Sequence, residues 1–256
     1  MSIPCRGCRP GAVTAILLAT LTSVSAQASE PAVSPNVGVV AVPISEVRPV
    51  EGWTVHISSQ LLATNRVETE RCLVMLAAQL KMIVERVPGP AAALLQEVPL
   101  WVSPEYPGVP PRAEYHPGRD WLVQNGRDPA MVKGVEFTNV RIFESEVRRM
   151  PVFVLHELAH AYHDRVLGFD DPAIQLAYRH AVEGKKYDSV ERVRANGTVV
   201  RERAYAMTNE QEYFAEGTEA YFGNNDFFPF TRDELAKHDP ELFTILEKVW
   251  QGPKGK

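Results

Sequence analysis

The pattern His-Glu-x-x-His at residues 156–160 constrains this chain more than any other feature of its sequence. It lies in an apolar stretch that predicts a helix over residues 150–167, with Pro151 in its first turn and Gly168 after its end. On a helix, His156 and His160 lie about 40° apart around the axis and about 6 Å apart along it. Two imidazoles so placed can bind one Zn²⁺, with Glu157 beside it as a candidate general base.

A catalytic zinc takes three protein ligands, and the helix predicted over residues 208–223 offers the third. Glu212 and Glu216 stand four residues apart on one face of this helix. One carboxylate can bind the metal while the other accepts the second N–H of a zinc-binding histidine. No carboxylate stands four residues after Glu210 or after Glu216, so neither of them can be the ligand of such a pair. We therefore expect Glu212 to be the ligand and Glu216 to orient the histidine; the alternative is a solvated acidic face.

Three further residues have structural interpretations. His163 is about 10.5 Å from His156 along the helix, too far to share one ion, so it is predicted to be a neighbour of the site or a surface histidine. Cys72, alone in an apolar helical run, is predicted to be a buried packing residue. Tyr205, taken by itself, is predicted to be an aromatic residue that packs at the end of a strand.

The first 28 residues are predicted to be a secretory signal peptide. Arg6 and Arg9 precede a 14-residue apolar run, which is followed by small residues up to Ala28. Cleavage near Ala26 to Ala28 predicts a secreted or periplasmic protein without a membrane partner. The alternatives are an uncleaved anchor or a buried N-terminal helix. Removing residues 1–28 takes away two arginines and no acids, so the net charge changes from −5 to −7. This acidic balance gives no electrostatic footprint for nucleic acid.

The remaining chain is predicted to be a proline-rich linker or arm, residues 29–49, followed by one domain, residues 50–256. Alternating or short apolar runs predict strands at 53–58, 100–103 and 135–139, and a long helix at 65–87. Residues 104–117 are predicted to be a surface loop, and Asn196-Gly197 predicts a hairpin turn. Capped helices follow, starting at Asp171, Thr208, Thr231 and Asp239. This order indicates an α+β fold with a small mixed sheet and a mostly helical C-terminal half. Val135–Asn139 is either the sheet edge to which a peptide adds or a structural strand.

Residues 150–223 resemble the catalytic domain of anthrax lethal factor and the related lethal-factor-like zinc peptidases, which are gluzincins. The resemblance is carried by the His-Glu-x-x-His helix and by the sequence Tyr-Ala-Met-Thr-Asn-Glu-Gln-Glu-Tyr-Phe-Ala-Glu at residues 205–216. It implies a zincin-like fold with one Zn²⁺ held by His156, His160 and Glu212. It also implies that Glu157 is the general base and that Tyr205 stabilises the oxyanion. The segment between the two motifs and the first half of the chain do not match, so the toxin's substrate and delivery do not carry over.

These features predict a secreted zinc metallopeptidase that cleaves a protein or peptide substrate. The alternative is a zinc-binding protein of the same fold that acts as a non-catalytic binding or scaffolding module. Glu157 and Tyr205 favour the enzyme, because a site that only binds zinc needs neither of them.

Overall fold

Five short strands form a mixed sheet in the computed structural model, which describes residues 41–252. The strands are β1 (Ile44–Val50), β2 (Trp53–Ser58), β3 (Leu100–Val102), β4 (Ala113–Tyr115) and β5 (Val135–Phe137). Their order across the sheet is β1-β2-β3-β5-β4. Strands β2, β3 and β5 are parallel, whereas β1 and β4 run antiparallel to their neighbours. A separate hairpin consists of β6 (Val190–Val193) and β7 (Val199–Glu202), which confirms the predicted turn between them.

Strand β1 corrects the prediction for the proline-rich segment. Residues 29–49 are predicted to be a linker or arm, but residues 44–50 pair with β2 through a tight turn at Glu51 and Gly52. Among the described residues β1 lies at an edge of the sheet, where a strand can tolerate a proline such as Pro49. The predicted signal peptide, residues 1–28, lies outside the described residues.

Helices of all kinds make up 54% of the described residues and strands make up 14%, which confirms the α+β class. The α-helices are α1 (Ser59–Thr64), α2 (Arg66–Arg86), α3 (Gly89–Gln96), α4 (Arg119–Gln124), α5 (Phe143–Arg149), α6 (Phe153–Tyr162), α7 (Pro172–Glu183), α8 (Glu210–Phe222), α9 (Arg232–His238) and α10 (Pro240–Val249). Among residues 41–252, no helix combines the length and the apolar composition needed to cross a bilayer.

Side-chain caps set the starts of several helices. Asp171 accepts hydrogen bonds from two main-chain N–H groups at the start of α7, and Thr231 with Glu234 forms the predicted capping box of α9. The cap predicted at Thr208 is wrong, because the residue that caps α8 is Asn209, whose side chain accepts the N–H of Glu212. Thr208 has a helical conformation at the end of a short 3₁₀ turn over Tyr205–Met207. The next residue, Asn209, has the extended conformation that a cap requires.

The main core lies between the sheet and helices α2 and α6. Val55 and Ile57 of β2 and Leu76 of α2 are fully buried in it, and α6 contributes Leu155 and Leu158. Cys72 of α2 is also fully buried, which confirms its predicted packing role. Helix α6 therefore runs across the sheet, with its apolar side towards the core.

Strand β5 lies between β3 and β4, so of the two interpretations of Val135–Asn139 the structural strand is confirmed and the sheet edge is wrong. The strand at this edge, as the described residues form it, is β4, which falls inside the segment predicted to be a surface loop. Strand β4 is only three residues long and follows Pro110 and Pro111, so no alternation of apolar and polar residues is visible in it. It packs beside α6, and this contact brings the sheet edge to the predicted site.

Candidate metal centre

Helix α6 presents its two histidines to a cavity while its other side packs in the core. Val154, Leu155 and Leu158 are fully buried, whereas His156, Glu157 and His160 line a cavity of about 590 Å³. The helix continues as a π-helical turn over His163–Leu167 and ends at Gly168, whose positive φ of +85° suits a residue without a Cβ. The predicted helix thus exists, but it begins at Phe153 rather than at Met150, so Pro151 precedes its first turn, and its last turn is wider than an α-helix.

Three predicted ligand atoms converge in this cavity. The Nε2 atoms of His156 and His160 are 3.1 Å apart, and Oε2 of Glu212 lies 3.1 Å from the first and 3.4 Å from the second. Two ligands of a tetrahedral zinc, each bound at 2.0–2.1 Å, are about 3.3 Å apart. The triangle of nitrogen, nitrogen and oxygen atoms therefore has the dimensions that one such ion requires.

The orientation of the His156 ring supports a cation in this triangle. Its Nδ1 lies 2.7 Å from Oε1 of Glu219, so a neutral ring donates its hydrogen there and leaves a lone pair on Nε2. That lone pair faces the carboxylate of Glu212, another acceptor, at 3.1 Å. Two acceptors this close need a proton or a metal ion between them. Burial disfavours the charged ring, yet Glu212 and Glu219 outweigh it and raise the pKa of His156 well above its ordinary value.

The acidic neighbour that orients His156 is Glu219, and the prediction that Glu216 does so is corrected. Oε1 of Glu216 lies 4.0 Å from Nδ1 of His156, beyond a hydrogen bond. Its other oxygen accepts a hydrogen bond from the side-chain amide of Asn225 at 3.0 Å. Residues seven apart on a helix differ by only about 20° around the axis, against 40° for residues four apart. The spacing from Glu212 to Glu219 was the sequence signal that could have identified this residue.

Behind the three ligands lies a buried group of acidic side chains. Ligand atoms of His156, Glu216 and Glu219 all lie within 4.8 Å of one another, so buried His and Glu groups stand within metal-binding distance here as well. Burial and the charge of Glu219 raise the pKa of Glu216 to about 8. Asp226, also buried, is compensated by Arg149 at 3.4 Å and Arg192 at 3.2 Å. At neutral pH Glu216 therefore carries a proton, so this group holds less negative charge than its carboxyl groups suggest.

Burial would raise the pKa of Glu212, but its hydrogen bonds with His156 and His160 outweigh burial and lower it well below its usual range. The carboxylate is therefore ionised at neutral pH, as a metal ligand must be. Its main-chain N–H is held by the side chain of Asn209 at 2.8 Å, so the first turn of α8 fixes the position of this residue.

The two predicted catalytic side chains lie beside the three ligand atoms. Oε2 of Glu157 accepts the main-chain N–H of Tyr115 in β4 at 2.9 Å. The hydroxyl of Tyr205 donates to Oε1 of Glu212 at 3.3 Å, and the ring is 48% exposed. Burial of its hydroxyl end and the charge of Glu212 raise the pKa of Tyr205 to about 12. The hydroxyl therefore keeps its proton at neutral pH and can donate a hydrogen bond.

Of the two positions predicted for His163, a neighbour of the site or a surface histidine, the surface position is wrong. His163 is fully buried, and neither of its ring nitrogens has a hydrogen-bond partner among the described residues. Its ring packs against Phe169 and Phe214 at centroid distances of 5.2 and 4.9 Å. It therefore serves as an aromatic packing residue on the core side of the helix.

The chain was compared with protein-family models, with curated proteins and with solved structures. No family model matches it. No curated protein and no solved structure matches it either. The interpretation of the site therefore depends on the chemistry and geometry of its own residues, which bring two imidazoles and one carboxylate of the predicted set together beside an open cavity.

Proposed function

We propose that the protein is a zinc-dependent peptidase of gluzincin type. The observation that carries this proposal is the triangle formed by His156, His160 and Glu212, whose edges of 3.1 to 3.4 Å match a single tetrahedral ion. Three protein ligands leave a fourth position, and this group faces a cavity of about 590 Å³ that also reaches Glu157 and Tyr205. A structural zinc site has four protein ligands and is closed, so an open three-ligand site favours catalysis.

The proposed mechanism assigns one task to each side chain. A zinc ion held by the three ligands would supply Lewis acidity and make a hydroxide nucleophile available near neutral pH. Glu157 takes the proton of the attacking water and returns it to the leaving amine. Glu219 keeps His156 in the tautomer that directs Nε2 to the metal. The Tyr205 hydroxyl, which retains its proton, donates a hydrogen bond to the oxyanion that develops on the scissile carbonyl.

The location of β4 supports a peptide as the substrate. The main-chain groups of successive residues in β4 point alternately to the two sides of the strand. Those that point to β5 belong to Arg112, Glu114 and His116. Ala113 and Tyr115 therefore direct their main-chain groups to the open side, where the N–H of Tyr115 donates to Glu157 and Ala113 borders the cavity. An extended peptide that pairs with this side would lie along α6, with a peptide bond beside Glu157.

The rest of the proposal follows from the sequence. The predicted leader and the net charge of −5 favour a secreted or periplasmic enzyme that acts on proteins or peptides rather than nucleic acid. The zincin-like fold and the oxyanion role of Tyr205 are also supported by the resemblance to lethal-factor-like peptidases.

The test measures zinc content and cleavage of a peptide library in the purified protein, with E157Q as the decisive variant. We expect stoichiometric zinc in both proteins and a loss of about 10²- to 10⁴-fold in turnover in E157Q, because a general base contributes about that much. E144Q, which alters an exposed glutamate on α5, is the matched control and should retain full activity. Zinc in both proteins without cleavage by either would favour the non-catalytic binding module. A protein that binds no zinc would exclude both alternatives.

A further inference from the structure

Tyr115 of β4 contacts the candidate active-site helix with two of its own groups. Its main-chain N–H donates to Oε2 of Glu157 at 2.9 Å, and its phenol hydroxyl donates to Oδ2 of Asp164 at 2.7 Å. The two acceptors are seven residues apart, a spacing that puts them on the same side of a helix about two turns apart. One residue of the sheet edge therefore bridges the middle of α6, which bears Glu157, and the π-helical turn that bears Asp164.

The N–H of Tyr115 is available for this contact because it lies on the open side of β4. On the side of β4 that faces β5, the carbonyl of Arg112 accepts from the N–H of Thr138, and the N–H of His116 donates to the carbonyl of Gly134. The Tyr115 side chain is 6% exposed and belongs to the main core. Both of its polar contacts are thus made at the boundary of the core, where an unmade hydrogen bond is costly.

Asp164 receives a second donor from the turn that leads into β5. The ammonium group of Lys133 forms an ion pair with the same carboxylate oxygen, Oδ2. Lys133 has a left-handed conformation with φ of +62°, and its N–H donates to the carbonyl of His116 at 2.7 Å. It immediately precedes Gly134 and β5. The chain therefore holds a lysine in a disfavoured backbone conformation at the point where its side chain reaches Asp164.

We propose that Tyr115, Lys133 and Asp164 form a clasp that fixes β4 against α6 and thereby positions the carboxylate of Glu157. Asp164 and the Tyr115 hydroxyl touch neither the three ligand atoms nor a substrate, so they are positioning residues. Their effect reaches Glu157 through the main-chain N–H of Tyr115. This inference rests on the proposed function only in that Glu157 is taken as the general base.

The first part of the test compares Y115F, which removes the phenol hydroxyl, with D164A, which removes its acceptor. We expect both variants to lose about tenfold or more in kcat while zinc affinity and KM change little, because a misplaced catalytic group can cost up to about 10²-fold. D164N, which restores an acceptor for the hydroxyl, should recover part of the loss. The matched control is Y162F in α6, which removes the hydrogen bond from the Tyr162 hydroxyl to the carbonyl of Val249 in α10. It should retain the wild-type kcat.

The second part measures amide hydrogen exchange at Tyr115 in the metal-free protein and needs no activity. We expect slow exchange in the wild type, and exchange at least about tenfold faster in E157A, Y115F and D164A, since each removes a contact that holds this amide. Tyr115 exchange as fast in the wild type as in E157A would overturn the clasp, and so would wild-type kcat in both Y115F and D164A. If the wild type cleaves no peptide, the proposed function fails, and the exchange rates alone decide whether the clasp exists.

Discussion

Nδ1 of His156 in α6 lies 2.7 Å from Oε1 of Glu219, a completely buried carboxylate in α8. This contact determines which nitrogen of the ring faces His160 and Glu212. The three carboxylates on one side of α8, at residues 212, 216 and 219, therefore have different partners. Glu212 faces the two imidazoles, Glu216 accepts a hydrogen bond from Asn225, and Glu219 orients His156. Each of these roles has a measurable consequence.

Replacing Glu219 by Gln should weaken zinc binding by about 10- to 100-fold, the usual cost of losing the hydrogen-bond partner of a metal-binding histidine. The matched control is E216Q, because Glu216 is equally buried but lies 4.0 Å from the same nitrogen. Competition with a chromogenic zinc chelator measures both affinities. A larger loss of zinc affinity in E216Q than in E219Q would show that Glu216, and not Glu219, orients His156.

Removing the metal should lower the thermal stability of the protein. A ligand that binds only the folded state at 100 times its dissociation constant stabilises that state by about 2.7 kcal/mol. We therefore expect a strong chelator to lower the melting temperature of the wild type in calorimetry and to leave that of H160A unchanged. Equal chelator effects on the two proteins would mean that zinc binds elsewhere.

His163 should make the protein less stable in mild acid. Burial, with a smaller effect of His160, lowers the pKa of His163 to about 4, whereas an unfolded histidine has a pKa of about 6.5. Between these values the unfolded chain binds a proton that the folded protein does not, so the free energy of unfolding falls as the pH falls through this window. Above about pH 6.5 His163 is neutral in both states, so its titration no longer changes the free energy of unfolding.

The expected loss is about 3 kcal/mol over that window, since each pKa unit is worth about 1.4 kcal/mol. In H163F, where Phe packs between the same aromatic neighbours, this part of the pH dependence should disappear. Urea unfolding of the metal-free proteins at pH 7, 5.5 and 4.5 measures the difference. Parallel curves for the two proteins would contradict the prediction.

Gly134 should be essential for packing beside β5. A Cβ at this residue would lie 2.8 Å from the carbonyl oxygen of Pro99 and 3.0 Å from that of Met131, so main chain rather than a flexible side chain would have to move. We expect G134A to lower the free energy of unfolding by about 1–3 kcal/mol, as overpacked cores do. The control is G89A, where nothing lies within 4 Å of the added carbon, and its stability should be unchanged or slightly raised. Equal stabilities of the two variants would refute the steric argument.

Features that depend on residues close together in the chain were predictable. The spacing of His156 and His160 fixes both on one side of α6 because helix periodicity is a local property. The caps at Asp171 and Thr231 were predictable for the same reason, since a cap bonds to main-chain groups two or three residues away. The cap at Thr208 was misplaced by one residue, because the preceding 3₁₀ turn is not visible in the residue pattern.

The sequence by itself determined the helix that bears His156 and His160, the residue types of the candidate site and the α+β class, because these follow from local spacing and from the alternation of apolar and polar residues. Only the tertiary structure decided that Glu219 rather than Glu216 meets His156, since that depends on how α8 packs against α6. It also decided that β4 rather than β5 forms the sheet edge, because strand order is set by contacts between distant segments. Interactions across the chain depend on the packing of whole elements, and no short stretch of sequence encodes that geometry.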